Sequence, residues 1–313
     1  MKNIQADIKS GNFKQVYLLY GEEAYLKQQY KQNLVKALNP DGDTMNFNHY
    51  EGKGIDVKQL IDLCETMPFF AERRVVLLED TGFFKNKCEE LADYMKELPD
   101  YLYLVFAETE VDKRNRMYKA VKACGSIAEF IRQDEKTLMR WAAGILGKAG
   151  KKITQRDMEL LLTKTGTDMG NLRMEMEKLI SYTEGRDVVT AEDIEEICTT
   201  QTTNRIFDMV RAVTEKNQKR ALELYYDLLT LKEQPMRILF LLAKQYRQLL
   251  LAKQFAAAGL AQTEIASKLG VPGFVVRNIT TCARAYTISE LEQAVKDFVD
   301  AEESVKTGRL EDK

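Results

Sequence analysis

The feature that most constrains this chain is a change of hydrophobic period at Gln133. Before it, short apolar runs rich in Val, Ile, Leu and aromatics recur: Val16–Tyr20, Met45–Tyr50, Val75–Leu78, Tyr101–Ala107 and Ile127–Ile131. Between them lie stretches with apolar residues at helical spacing: Glu22–Leu38, Val57–Thr66, Cys88–Leu98 and Arg114–Lys122. Strands alternating with helices imply βαβ units and a mostly parallel sheet. Val75–Leu78 and Leu102–Phe106 are almost uninterrupted apolar runs, as central strands covered on both faces must be. After Gln133 the strand signals stop. Ten helical patterns follow, from Glu135–Lys148 to Ser289–Lys306, with N-cap chemistry expected at Thr190 and Ser289 and helix ends at Gly166 and Gly185. The expectation is an α/β domain at 1–137, a small all-α domain at 138–204 and a larger all-α domain at 205–313.

Composition narrows the chemistry. With 46 Lys+Arg against 48 Asp+Glu the formal net charge is −2, too little positive charge for wholesale coating of a polyanion. A single histidine, His49, rules out a zinc site with two His ligands and forces any His-dependent nucleophile through that one residue. Its place in Asn46-Phe47-Asn48-His49-Tyr50 reads as a strand position, so no catalytic residue is assigned. The five cysteines are odd in number and scattered, with no C-x-x-C, which fits reduced thiols and no metal site. No leader-like segment or membrane-spanning apolar run is read; the apolar run Ile238–Leu251 is broken by Lys244, Gln245, Arg247 and Gln248. A cytoplasmic protein is expected.

Five segments carry possible function. Leu18-Leu19-Tyr20-Gly21 followed by Glu22–Gln28 puts Gly21 and Lys27 in the register of G-x-x-x-x-G-K-[ST]. Leu26 stands for the second glycine and Gln28 for the hydroxyl residue, while Glu22 and Glu23 place carboxylates where phosphates would sit. This is either a degenerate phosphate loop that binds no nucleotide or an ordinary strand-to-helix turn. Arg73–Asp80 gives an apolar strand ending in Glu79-Asp80, the reverse of the acid order an ATPase uses. Met67-Pro68-Phe69-Phe70 lies between a helix and a strand. Its three large apolar side chains are either sheet-edge core or an exposed partner anchor. Thr263–Arg277 has helix-turn-helix spacing, but its second helix opens Phe274-Val275-Val276 and not with base-reading polar groups. Arg237, Lys244 and Arg247 share one helix face, by default a solvated one.

The order of these parts resembles the delta subunits of the bacterial DNA polymerase III clamp loader. The likeness is carried by Val16–Glu23, by Met67–Leu78, by Asp112-Lys113-Arg114 and by Gly170–Leu179. It implies an AAA+-like α/β domain of P-loop type, a helical lid and a helical collar. It implies a subunit of a DNA-directed DNA polymerase holoenzyme that opens the ring-shaped sliding clamp during DNA replication, without hydrolysing ATP and without a cofactor. Met67, Phe69 and Phe70 fall where the family's clamp contact lies, with Phe-Phe in place of its common Leu-Phe. Lys122-Ala123-Cys124 has Ala123 where ATP-driven relatives carry an arginine finger, and Arg173 matches their lid arginine, for which a structural ion pair is the expectation here. Implied partners are the sliding clamp, other loader subunits joined through the collar, and primer-template DNA through the assembled complex, with replisome association. The competing readings are an active ATPase with a divergent loop and a helix-turn-helix regulator.

Overall fold

The computed structural model describes residues 2–199 and 202–311. The outer limits of the expected domains, at Met1 and Lys313, lie outside the described residues, as do Asp312 and, within the expected lid, Thr200 and Gln201. The chain divides into two compact units, Met1–Gln133 and Asp134–Lys313.

The N-terminal unit runs α1 (Lys2–Ser10), β1 (Val16–Tyr20), α2 (Ala24–Leu38), β2 (Phe47–Glu51), α3 (Val57–Glu65), β3 (Arg74–Glu79), α4 (Glu89–Tyr94), β4 (Leu102–Glu108), α5 (Arg116–Cys124) and β5 (Ser126–Glu129). The five strands form one parallel sheet in the order β2-β3-β4-β1-β5. All five residues of β1 are buried because helices cover both faces, and its side chains alternate between two cores. Val16, Leu18 and Tyr20 join the α3–α5 side with Val76, Leu78, Leu104 and Phe106. Tyr17 and Leu19 join the α1–α2 side with Ile4, Leu34, Leu38 and Phe130. Each such Leu or Val contributes roughly 1.5–3 kcal/mol by leaving water.

The sheet and its helices follow the expected pattern, with two differences. Helix α1 carries too weak a signal to be read, since only Ile4 and Ile8 form its apolar face, one turn apart. The second expected strand starts two residues later than Met45, which leaves Met45 exposed and frees Asn46 for another role.

The C-terminal unit contains α6 (Glu135–Lys148), β6 (Lys152–Ile153), α7 (Gln155–Thr165), α8 (Met169–Tyr182), β7 (Val188–Val189) and α9 (Ala191–Ile197). It continues with α10 (Thr202–Thr214), α11 (Gln218–Thr230), α12 (Pro235–Ala257), α13 (Gln262–Leu269), α14 (Gly273–Ala283) and α15 (Ile288–Lys306). One core gathers Ala142, Leu146, Leu161, Leu172, Met176, Leu179 and Ile194; others lie among α10–α15. Strand content does not end at Gln133, because β6 and β7 pair in parallel. Two residues each are too few for a periodic signal. Thr190 caps α9 with a full capping box, as its sequence demands. The cap of α15 is Thr287, not Ser289: its hydroxyl accepts the Glu290 N–H while Glu290 accepts the Thr287 N–H. Gly166 ends α7 at φ 82°, whereas α8 stops at Tyr182, before Gly185.

Candidate functional site: an apolar loop and a filled crevice

The segments singled out in the N-terminal unit fall at the two opposite ends of its parallel sheet. The Met67–Arg73 connector leads into the N-terminal end of β3. The Gly21 turn and Glu79-Asp80 follow the C-terminal ends of β1 and β3, where an open α/β sheet places its ligand crevice.

The connector is exposed but not loose. Helix α3 stops at Glu65, ahead of Pro68, and the chain turns extended at Thr66. Met67, Phe69 and Phe70 are 75%, 57% and 95% exposed. Their two rings meet edge-on, with centroids 4.5 Å apart at 80°. Such geometry is favourable for aromatic pairs and makes the two rings one apolar wedge. Phe70 is held at φ 50°, a left-handed conformation that a bulky residue rarely adopts.

Two buried polar side chains hold this shape. Asn46, 3% exposed, grips the Phe69 backbone twice: its Oδ1 accepts the Phe69 N–H at 2.6 Å, and its Nδ2 donates to the Phe69 carbonyl at 2.9 Å. The same Nδ2 donates to Asp43 Oδ2 at 2.5 Å, and Asp43 Oδ1 accepts the N–H groups of Met45 and Asn46. The Asn46 amide, followed by these backbone donors, holds the Asp43 carboxyl below the usual carboxylate range. Arg74, 5% exposed, donates to the carbonyls of Thr66 (2.8 Å) and Met67 (3.3 Å) and to Asn48 Oδ1 (3.2 Å). At the loop's exit the Arg73 guanidinium lies over the rings of Phe13 and Tyr103, at 5.2 and 5.4 Å. The arrangement offers an apolar surface and no reactive group.

Sequence reasoning found Met67, Phe69 and Phe70 but not Asn46, Asp43 or Arg74. Asn46 and Arg74 lie in or beside apolar runs and read as strand residues; only the folded chain brings them against the loop.

At the other end of the sheet, the crevice is filled by the protein's own groups. Gly21 has φ 124°, and a Cβ there would overlap the carbonyl oxygen of Phe130. The Phe130 N–H donates to the Tyr20 carbonyl at 2.7 Å, and the Phe130 carbonyl accepts the Glu23 N–H at 3.0 Å. That N–H belongs to the group that would otherwise face a phosphate. Glu22 pairs with Arg132 at 3.4 Å. Lys27 donates to the Glu108 carbonyl at 2.9 Å and to Thr109 Oγ1, and burial lowers its pKa. Glu79 is bound by Lys31 at 2.6 Å and by His49 Nε2 at 2.9 Å. Asp80 accepts the Thr109 N–H at 2.8 Å. Glu108, whose pKa burial raises, accepts from Thr81 and Gly82. Gly21 and Lys27 are thus each turned to an internal partner. Among the described residues no cluster of three or more His, Cys, Asp or Glu could hold a metal ion.

The remaining motifs pack or pair. In α13–α14, Gly270 takes the left-handed turn between the helices, and Ile265, Val276, Ile279 and Cys282 are buried. Arg277 reaches Glu159 at 3.6 Å; the side chain of Phe274 lies outside the described residues. On α12, Arg237 pairs with Glu233, and Lys244 and Arg247 are exposed. Arg173 pairs with Glu177 one helical turn on, at 2.7 Å. No helix among the described residues is long and apolar enough to cross a membrane.

Comparison with known proteins gives a consistent answer. Residues 17–130 match the family model described as DNA polymerase III, delta subunit. Residues 203–313 match that of the DNA polymerase III delta subunit, C-terminal domain. The chain is 26% identical over 320 residues to DNA polymerase III subunit delta of Bacillus subtilis (strain 168), covering 98% of this chain and 92% of that protein. It is 22% identical over 270 residues to the probable DNA polymerase III subunit delta of Aquifex aeolicus (strain VF5), covering 82% and 75%. The solved structure of the Bacillus subtilis DNA clamp loader delta protein (YqeN) superposes with a TM-score of 0.66 at 24% identity, covering 99% of this chain and 95% of that one. The parallel α/β unit followed by helices is therefore a fold that this chain shares with that protein. With both family models matched, together over more than half of its length, the chain belongs to the DNA polymerase III delta subunit family, the clamp-loader delta proteins.

Proposed function

We propose that this chain is a non-catalytic clamp-opening subunit of a DNA polymerase III clamp loader. Its loop Met67–Phe70 docks in an apolar pocket of the sliding clamp, and ATP is neither bound nor hydrolysed by this subunit. The observation that carries the reading is the presentation of Met67, Phe69 and Phe70 to solvent on a backbone held by Asn46 and Arg74. An isolated exposed apolar residue needs no explanation, but three on one pinned loop have the character of an interface anchor. Binding energy then does the work. A clamp whose open form accepts the wedge better than its closed form shifts toward open by that difference in affinity and by no more.

The state of the crevice supports the nucleotide-free part of the reading. The groups that an ATP site would use, the Glu23 N–H, Lys27, Glu79 and Asp80, already have internal partners. Ligand entry would have to break several of these bonds at once. Two helical domains are read from the family, a lid at 138–204 and a collar at 205–313 that joins other loader subunits, with primer-template DNA engaged through the assembled complex at the replisome.

The test is affinity for the cognate sliding clamp, by titration calorimetry or surface capture, for the full chain and for Phe69→Ala/Phe70→Ala. The reading expects a folded variant with at least about a thirtyfold loss, since hot-spot truncations cost about 2 kcal/mol or more and 1.4 kcal/mol is about tenfold. Unchanged affinity in a folded variant would refute it.

A further inference from the structure

The hold that Asn46 exerts on the loop serves no part of the core. Its two bonds go to the backbone of Phe69, whose ring is more than half exposed, next to Phe70 at 95% and two residues from Met67 at 75%. A side chain buried to 3% normally supports buried neighbours. Here it supports a segment that buries little of its own surface.

The bond pattern is also specific to a carboxamide. Phe69 offers Asn46 one donor and one acceptor, and Asp43 offers a further acceptor. An Asn side chain meets all three with one oxygen and two N–H bonds. A carboxylate would lack the donors, and an aliphatic residue would leave the Asp43 carboxylate and the Phe69 groups without these bonds. Asp43 in turn is tied by the N–H groups of Met45 and Asn46 and by Asn39, which donates through its Nδ2 to the Asp43 carbonyl and accepts the Asp43 N–H through its Oδ1. The chain of bonds runs from the end of α2 to the tip of the loop. It ends one residue before Phe70, the position with the left-handed backbone that an aromatic residue disfavours.

We propose that Asn46 is the positioning residue of the docking loop, its carboxamide keeping Phe69 and Phe70 in the binding-ready wedge before the clamp arrives. The proposal rests on the docking function given above. Pre-organisation of this kind acts through the population of the competent loop. With Asn46 in place the wedge is the resting state. Without it the loop samples other conformers, Phe70 relaxes to negative φ, and apparent affinity falls by the fraction of chains still competent. The loss appears in the association rate, because the partner contacts in the complex are unchanged.

The experiment compares the full chain with Asn46→Ala, Asn46→Asp and the exchange Asp43→Asn/Asn46→Asp. Each is titrated against the purified sliding clamp, and amide hydrogen exchange at Phe69 is followed without the clamp. In Asn46→Ala we expect loss of protection at the Phe69 amide and about tenfold weaker binding, as when the competent fraction falls to about a tenth. Asn46→Asp sets a second carboxylate against Asp43 and binds weakly. The exchange restores the contact between positions 43 and 46 and one of the two loop bonds, and recovers part of the affinity. In the background Phe69→Ala/Phe70→Ala, Asn46→Ala has no further effect, because it acts only through those rings.

An unchanged Phe69 amide and unchanged association rate in Asn46→Ala would overturn the proposal. So would losses that simply add in the aromatic-free background. Should Phe69→Ala/Phe70→Ala itself bind as tightly as the parent, the docking function fails, and exchange at the Phe69 amide alone still decides whether Asn46 holds the loop.

Discussion

The two ends of the N-terminal sheet use buried polar groups for opposite purposes. At the C-terminal ends of the strands, the Phe130 carbonyl, Glu108 and Glu79 satisfy the Glu23 N–H, Thr81 and Lys31, and the crevice is filled. At the N-terminal end of β3, Asn46 and Arg74 satisfy the backbone of a connector and leave its apolar side chains outside. One end is built from donors and acceptors that cancel within the molecule. The other is built so that Phe69 and Phe70 stand exposed, their rings meeting edge-on. On the function proposed above, the difference teaches that this α/β unit would work not from the crevice where such sheets usually bind ligands, but from the opposite end of the sheet.

The comparison can be broken or sharpened by substitution. The largest effect is expected for Phe69→Ala/Phe70→Ala, with clamp affinity lost and the urea midpoint little changed, since both rings are exposed. Next is Gly21→Ala. The new Cβ meets the Phe130 carbonyl at a left-handed backbone position, so unfolding free energy should fall by about 1–3 kcal/mol, measured by urea denaturation, while the purified folded fraction still binds the clamp. Arg74→Met ranks third. Hydrogen bonds from a charged donor contribute about 1.5–3 kcal/mol each, partly regained by apolar packing, so stability should drop by about 2 kcal/mol and amides of Thr66–Phe70 should exchange faster. Smaller still is the effect of Mg-ATP. At millimolar nucleotide the melting temperature should not move, whereas a rise of several degrees that vanishes in Lys27→Ala would show the crevice to be a working site.

The smallest effect concerns pH. The Asp43 carboxyl has its folded pKa lowered, so its contribution is present above the unfolded value of about 3.9 and is lost only as pH falls through the still lower folded value. Clamp binding should therefore be flat from pH 8 down to about 5 as far as Asp43 is concerned. A decline in that range that Asp43→Asn removes would contradict the arrangement at Asn46.

Much of this was legible from residues alone, and the parts that were not share a cause. Strands β1, β3 and β4 announced themselves as unbroken apolar runs because both faces are covered. Helix α1 did not, because Ile4 and Ile8 give only one turn of period. Gly21 is legible in sequence only as either a degenerate phosphate loop or an ordinary turn; that the approach of the Phe130 carbonyl, from the C-terminal end of the unit, requires a glycine there shows only in the fold. Thr287 was passed over as a cap because Ser289 stands two residues later with the same chemistry. Phe69 and Phe70 could be flagged but not resolved, since a Phe beside a sheet edge is buried as readily as not. What decides it is Asn46, separated from Phe69 by 23 residues and visible only when β2 and the loop come together.

The central claim is that this family member acts through a preformed apolar wedge and not through nucleotide chemistry. It is tested most directly by titrating the sliding clamp with the full chain and with Phe69→Ala/Phe70→Ala, each with and without Mg-ATP. The account predicts tight binding by the parent that nucleotide does not alter, and at least about a thirtyfold loss in the variant. Equal affinity of the two folded proteins, or parent binding that depends on Mg-ATP, would contradict it.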